Sequence, residues 1–440
     1  MADIIVEASP SLPSLENACI QAPYEGFSCT LDTSLTLIGQ MFTVSDKCLN
    51  PSENPVTDTN KKDQLYTLIR NNPFISQQDL ASELGLSRSA VAGHIAGLIR
   101  ERRLLGRAYV LPDSRPVLCI GAANLDRKMR TLATLQMGTS NPVRSEEVFG
   151  GVGRNIAENL ARLSIPVALL TALGDDAAGH ALQTHAEDAG IDMRGSLHLS
   201  NTSSGTYTAV LDEHGEMLLA MANMQLYEQL TPAFLHSRQP QRAAAALTVC
   251  DLNLGHDSVQ ALLADARQDA AHATPLVIVA VSQPKMAHLP QDLSGLHLLI
   301  LNRGELETRV ARALPTATDL RAACREVQRQ GARQVIVTCG GEGVYFTDGD
   351  SLDAPILHLA AREVDAVDVT GAGDAFSAAV CWSLYHDSSD LKLACRRGLK
   401  LAAMTLESAA TVSPQISAGA LDNIDDADLA PPPPTLFQQD

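Results

Sequence analysis

The segment VDVTGAGDAFSAAVCW, residues 367–382, sets two glycines and an acid at the head of an apolar helical run. Gly371, Ala372 and Gly373 carry little or no side chain, so their amide N–H groups can converge on an anion. A helix N-terminus adds positive potential at the same place. Asp374 falls in the first turn of that helix, where a carboxylate beside a bound phosphate is repelled. A carboxylate there suits one task, taking the proton of a hydroxyl that attacks a phosphoryl group. The plainer alternative is a Gly-rich turn followed by a helix-stabilising Asp, and these residues alone do not decide between the two.

The elements that would position them follow from hydrophobic patterning. VLCIGAANLD, VALLTALGDD, PLVIVAVS, LHLLILN and QVIVTCGGEG are apolar runs that end in small or polar residues. Between them lie helical stretches such as NIAENLARL, AAGHALQTHAEDAG and TDLRAACREVQRQG. Strands alternating with helices predict an α/β domain on a largely parallel sheet. SSGTYTAVLDEHGEMLLAMA differs and predicts a hairpin turning at Asp212 to Gly215, suited to a small accessory sheet or lid. Asn124 and Asp126 are expected in a turn after the first strand. No G-x-x-x-x-G-K-[ST] loop and no strand–GxGxxG–helix unit occurs, which excludes P-loop and dinucleotide-binding readings.

Four stretches carry a family resemblance. VDVTGAGDAF closely resembles the second signature of the ribokinase-like (PfkB) carbohydrate and nucleoside kinases, and FGGVGRNIAENLAR, from Phe149, resembles the first. Asn302-Arg303-Gly304-Glu305 matches the N-x-x-E element, and VTCGGEGVY the T-x-G-x-x-G turn. They occur in the family's order between residue 116 and about residue 414. The resemblance implies a three-layer α/β sandwich with a small β lid and an ATP- and Mg²⁺-dependent phosphotransferase.

Roles carried over by that resemblance are as follows. Asp374 would be the general base, with the amides of Gly371, Ala372 and Gly373 as the anion hole. Asn124 and Asp126 would hold the sugar hydroxyls, and Gly150, Gly151 and Asn155 would complete that site. Asn302, Thr338, Gly340 and Gly343 would face ATP, with Glu305 acting on Mg²⁺ through water. Asp368 and Thr370 match a monovalent-cation position, occupied by K⁺ for example. GGVGRN and TLESAATVSP are most similar to bacterial pseudouridine kinases, which implies a ribosyl substrate, pseudouridine first. Ala280-Val281 departs from the Asp-Pro pair common in that subgroup, and Ser164 from its Gly. Another nucleoside or sugar kinase, or a regulator that senses such a ligand, are the alternatives. Lid strands in this family often pair between subunits, implying a homodimer.

Residues 61–110 read differently, as helix, helix, turn, helix and a short strand pair around Gly106. Leu65, Leu68 and Ile69 mark the first helix, and Ser76 and Ser87 are natural N-caps for the second and third. ISQQDLASELGLSRSAVAGHI resembles a winged helix-turn-helix domain, which implies duplex DNA as a partner. Ser87, Arg88, Ser89 and His94 would then face the major groove, with Arg102, Arg103 and Arg107 near phosphates. A docking or dimerisation module is the alternative.

The 440 residues carry 33 Lys+Arg and 51 Asp+Glu, a formal net charge of −18. That excludes a general nucleic-acid coat and requires any DNA contact to be local. Residues 1–60 sum to −7 and residues 61–110 to +4. The expected organisation is a flexible acidic extension over 1–59, the winged domain over 60–112, the kinase-like domain over 115–414, and an acidic, Pro-rich tail over 415–440. The N-terminus has acids where a secretory signal has Lys or Arg, no apolar run is long enough to span a membrane, and the nine Cys lack metal-site spacing. These features predict a cytoplasmic protein with reduced thiols and no membrane partner.

Overall fold

The computed structural model describes residues 58–71, 75–104, 115–268, 274–386 and 390–422. The strand pair around Gly106, with Arg107, and the run Pro431 to Pro434 lie outside them, as does the 1–59 extension apart from the two residues that begin the first helix.

The N-terminal domain contains α1 (Asp58–Asn71), α2 (Gln77–Leu84) and α3 (Arg88–Arg100). Ser76 Oγ accepts the Asp79 N–H at 3.1 Å, and Ser87 Oγ accepts the Ala90 N–H at 3.1 Å, so both serines start their helices. Gly85 ends α2 at φ +62°, a left-handed conformation that Gly adopts without strain. Leu65, Ile69, Leu80, Val91, Ile95 and Leu98 close a small core.

The larger domain runs β1 (Val117–Ile120), β2 (Asn124–Thr131), β3 (Val143–Gly150), α4 (Val152–Arg162), β4 (Val167–Leu170), β5 (Ala172–Gly174), α5 (Ala177–Asp188), β6 (Ile191–Asp192) and β7 (Leu197–Leu199). It continues with β8 (Thr206–Leu211), β9 (Met217–Asn223), α6 (Pro232–Ser237), α7 (Gln239–Ala244), β10 (Leu247–Asp251), α8 (His256–Gln268), β11 (Leu276–Val279), β12 (Leu298–Asn302) and α9 (Arg303–Val310). The last elements are α10 (Ala317–Arg329), β13 (Gln334–Thr338), β14 (Val344–Thr347), β15 (Ile356–Leu359), α11 (Ala372–His386) and α12 (Leu391–Leu406).

Nine strands form one sheet in the order β15-β14-β13-β12-β11-β10-β1-β4-β6, parallel except at β14 and β15. Alternate residues of each strand enter opposite cores. Leu118 and Ile120 pack with Leu262, Leu306 and Leu320 of α8 to α10, whereas Val117 and Cys119 pack with Ile156, Leu182 and Phe376 of α4, α5 and α11. Burial on both faces is why these strands read as unbroken apolar runs.

A second sheet, β3-β2-β8-β9, makes the lid. Its β8–β9 hairpin turns where expected, with Gly215 at φ +93°. Asn124 and Asp126 do not lie in a turn: they open lid strand β2, paired with Gly150 and Val148 of β3. The packed chain also extends past the expected start of the tail. Ile416 and Leu421 are buried against Leu163, Ala375 and Leu401, so apolar contact holds the chain through a 3₁₀ turn at Ala418–Leu421.

Arg102 and Arg103 depart from their expected phosphate-facing role. Arg103 bonds Asp63 at 2.8 Å and stacks on Tyr66. Arg102 Nη1 donates to Thr274 Oγ1 at 3.2 Å, and that hydroxyl donates in turn to the Ala245 carbonyl. Ala245 and Thr274 precede β10 and β11, so the helical domain touches the sheet at the amino ends of its parallel strands.

Candidate active site

The opposite edge of the sheet gathers the nominated kinase residues. Open α/β sheets bind ligands beyond the carboxyl ends of their strands, where loops and helix N-termini converge. Here Gly121 and Ala122 follow β1, Asp251 ends β10, Asn302 ends β12 and Thr338 ends β13. The N-termini of α4 and α11 bring in Asn155 and Asp374.

Asn155 Nδ2 donates to Asp374 Oδ2 at 2.7 Å, joining the two signature motifs across 219 residues of chain. Burial pushes the Asp374 carboxyl up to about 7 against the pull of the Asn155 hydrogen bond. The charges of Asp251 and Asp126 add to the rise, and Arg154 opposes it. A carboxylate poised near neutrality suits proton acceptance. Gly371 precedes it at φ +83°, and a Cβ there would meet the Thr411 carbonyl oxygen at 2.0 Å, so this turn requires glycine. At Gly373 a Cβ would meet nothing within 4 Å, so that position borders open space.

Asp126 faces this cluster from the lid. A Cβ on Gly150 would stand 2.1 Å from Asp126 Oδ2, and one on Gly151, at φ +97°, would stand 2.4 Å from the Ala122 carbonyl. Gly150 therefore lets β3 backbone lie close against the Asp126 carboxylate, and Gly151 lets the head of α4 lie close against the loop after β1. Asn124 Nδ2 donates to Asp126 Oδ1. Burial pushes the Asp126 carboxyl up to about 6, opposed by that bond and by Arg154 and Lys128. Lys128, two residues along β2, reaches Asp368 Oδ2 at 2.6 Å, while Asp368 Oδ1 accepts the Thr370 amide and hydroxyl. Burial raises the Asp368 carboxyl, but these hydrogen bonds outweigh it and hold it below the usual range.

Asn302, Glu305, Thr338, Gly340 and Gly343 form a neighbouring cluster around β12 and β13. Asn302 and Thr338 are paired in register. The N-x-x-E element is a reciprocal helix cap: Asn302 Oδ1 accepts the Glu305 amide at 2.9 Å and Glu305 Oε2 accepts the Asn302 amide at 2.7 Å. Glu305 is 2% exposed, and burial raises its carboxyl. Arg303 bridges to Glu342 of the glycine turn. Gly340, at φ +56°, borders open space, whereas a Cβ on Gly343 would meet the Leu359 carbonyl oxygen at 2.0 Å. The open turn fits a nucleotide. No three His, Cys, Asp or Glu among the described residues form a metal cage. A single carboxylate would suit Mg²⁺ acting through water, since that ion keeps several waters and takes substrate phosphates as ligands. Gln283, near Ala280-Val281, lies against Gly304: a Cβ there would be 2.5 Å from Gln283 Nε2.

Asp251 was not nominated. Its Oδ2 accepts the Ala122 and Gly153 amides at 2.9 Å each, and its Oδ1 accepts the Asn253 amide at 2.8 Å. It staples the β1 loop to the head of α4, and burial raises its carboxyl against those bonds. The one sequence signal was an acid ending the buried run LTVCD. On the helical domain, Arg88 and Ser89 are exposed and His94 is half-buried. Ser87 is exposed, caps α3 and bonds Ser89 Oγ at 2.9 Å.

A three-layer sandwich, a β lid and a glycine-flanked acid at a helix N-terminus define a sugar or nucleoside kinase. A family model described as pfkB family carbohydrate kinase matches residues 114–418, and the chain belongs to that family of ATP-dependent phosphotransferases. A winged helix-turn-helix DNA-binding model matches residues 61–101. The sugar kinase YeiI of Escherichia coli is 30% identical over 364 residues, 82% of this chain and 97% of its own. The pseudouridine kinase of Escherichia coli is 32% identical over 271 residues, 60% of this chain and 83% of its own. A carbohydrate kinase from Agrobacterium tumefaciens superposes with a TM-score of 0.59 at 27% identity, covering 70% of this chain and 96% of its own. Among the described residues no helix is long and apolar enough to cross a membrane.

Proposed function

We propose that this chain transfers the γ-phosphoryl group of ATP to the 5′-hydroxyl of a ribosyl compound, with pseudouridine as the leading substrate. Asp374 takes the hydroxyl proton as the sugar oxygen attacks phosphorus, the bond from phosphorus to the bridging oxygen breaks, and ADP leaves. The amides of Gly371, Ala372 and Gly373 receive the charge that develops on the transferred group. Asp126 accepts hydrogen bonds from vicinal ribose hydroxyls, with Asn124, Gly150, Gly151 and Asn155 completing the sugar site. Asn302, Thr338, Gly340 and Gly343 line the nucleotide. Glu305 would hold Mg²⁺ through water, which would supply positive charge to the phosphates, and the carbonyls of Asp368 and Thr370 would be offered to a monovalent cation.

The observation that carries this reading is Asp374, hydrogen-bonded to Asn155 at the open head of α11 with its carboxyl near 7. The 32% identity to a pseudouridine kinase supports the substrate. A guanosine-inosine kinase at 25% identity keeps other nucleosides in the test. ATP turnover measured with pseudouridine, uridine, inosine and ribose decides: the highest kcat/KM is expected for pseudouridine, and a preference for free ribose would overturn the nucleoside assignment.

The N-terminal domain is proposed to bind duplex DNA through α3, with Arg88 and Ser89 leading, which would make the protein a regulator as well as an enzyme. A homodimer is proposed through the lid, whose edge strand β9 exposes Met217, Leu219 and Met221 by half or more of their surface. The proposed compartment is the cytoplasm. Of the six described cysteines, none of them in a disulfide, five are buried.

A further inference from the structure

Arg154 and Glu158 have no part in the chemistry above, yet they are only 2% and 3% exposed. Arg154 Nη1 donates to Glu158 Oε2 at 2.6 Å, and its Nη2 donates to Asn155 Oδ1 at 2.7 Å. Glu158 Oε1 in turn accepts Arg162 Nη2 at 2.8 Å and Nε at 3.0 Å. His185 Nδ1 closes the group, 3.4 Å from Arg154 Nη1.

A guanidinium has five N–H donors and no acceptor. Only the oxygen of the Asn155 carboxamide can therefore face Arg154, and its amino group is left to meet Asp374 Oδ2. Asn159 Nδ2 anchors the same turn by bonding the Asn155 carbonyl at 2.8 Å. We infer that Arg154 is a positioning residue for phosphoryl transfer, fixing the Asn155 carboxamide so that a donor rather than an acceptor meets the general base. The inference rests on the reading of Asp374 as that base.

Donation from Asn155 favours the ionised carboxylate, and the nearby Arg154 charge acts in the same direction. Against them stand burial and the carboxylates of Asp251 and Asp126. Around Arg154 itself lie Glu158, Asp374 and Asp126. Without Arg154 the carboxamide can turn its oxygen to Asp374, where it pairs only with the protonated acid. Asp374 must then lose its proton at higher pH.

The test is the pH profile of kcat for Arg154→Met in the full chain, with ATP–Mg²⁺ and the best substrate among pseudouridine, inosine and ribose. The acid limb is expected to move up by about one pH unit, giving about a tenfold loss below the limb that recovers by about pH 9. Removing Arg154 alone leaves Glu158 a buried charge facing Arg162 at 2.8 Å and the more distant His185 ring at 3.9 Å, which is destabilising. The double variant Arg154→Met/Glu158→Met removes both charges and is expected to show the same shift. Titration of the Asp374 carboxyl carbon in protein labelled with carbon-13 aspartate reads the shift without substrate. A uniform loss of kcat at every pH, with an unmoved carboxyl titration, would overturn the inference. The base assignment is tested apart, since Asp374→Asn with near-native turnover sinks that reading whatever the Arg154 variants do.

Discussion

Asp374 gathers most of the chemistry into one side chain. Asp374→Asn keeps the shape and removes the base, so turnover should fall about 10²–10⁴-fold while substrate binding persists. With its carboxyl near 7, native turnover should rise as pH passes from 6 to 8. The same shift has a stability sign. A carboxyl that titrates higher folded than unfolded favours folding while protonated, and this contribution fades as pH rises from about 4 through 7. Asp374→Asn should therefore raise Tm by a few degrees at pH 8 and hardly at all at pH 4, which differential scanning calorimetry would read. Asp126→Ala should weaken ribosyl binding far more than ATP binding by calorimetry. Asp374 and Asn155 were legible because glycines precede them in recognisable spacings, and Asp126 because it follows the first buried strand. Asp251 was not, because an acid at the end of an apolar run looks like any strand terminus. Arg154 and Glu158, one helical turn apart, carry no sequence signal of burial, and only the fold shows that they are covered.

At the scale of elements, strands buried on both faces were the most legible, since β1, β10, β11, β12 and β13 can only be apolar runs. The lid was half legible. Its β8–β9 hairpin has alternation and a Gly turn, whereas β2 (NLDRKMRT) and β3 (VRSEEVFG) carry charge on both faces and show no period. A lid strand touches a substrate and solvent rather than a core, so the usual signal is missing. Strand β9 has the opposite character, apolar yet exposed along its length. Leu219→Glu should convert the proposed dimer to a monomer, with light scattering giving the mass. A native chain that is monomeric at micromolar concentration would remove that partner. In the anion-hole turn, Gly371→Ala should cut kcat by at least about tenfold, because its Cβ displaces either the turn or Thr411.

Across the whole molecule, the helical domain touches the amino ends of the strands and the proposed catalytic cluster lies at their carboxyl ends. Removing residues 1–112 should therefore spare phosphorylation. DNA binding should be lost in that variant and should fall steeply with salt in the full chain, as each phosphate contact releases a counterion. Arg88→Ala should weaken DNA binding in a gel-shift titration and leave kcat unchanged. If selection from genomic fragments at low salt enriches nothing, α3 serves docking instead.

The register of β1 has a consequence in time. Val117 sits against Val167 on one side and Leu247 on the other, so the centre of the sheet waits for a partner 130 residues away. Among the described residues, the helical core ends at Leu104. At about 5–20 residues per second, the roughly 150 residues from there to the end of β10 take about 7–30 s to synthesise. The described core of the amino-terminal domain is thus made while β1 still lacks its β10 partner, and Asp374 is later still. On every ribosome the helix-turn-helix fold is born first, and the kinase fold is assembled behind it.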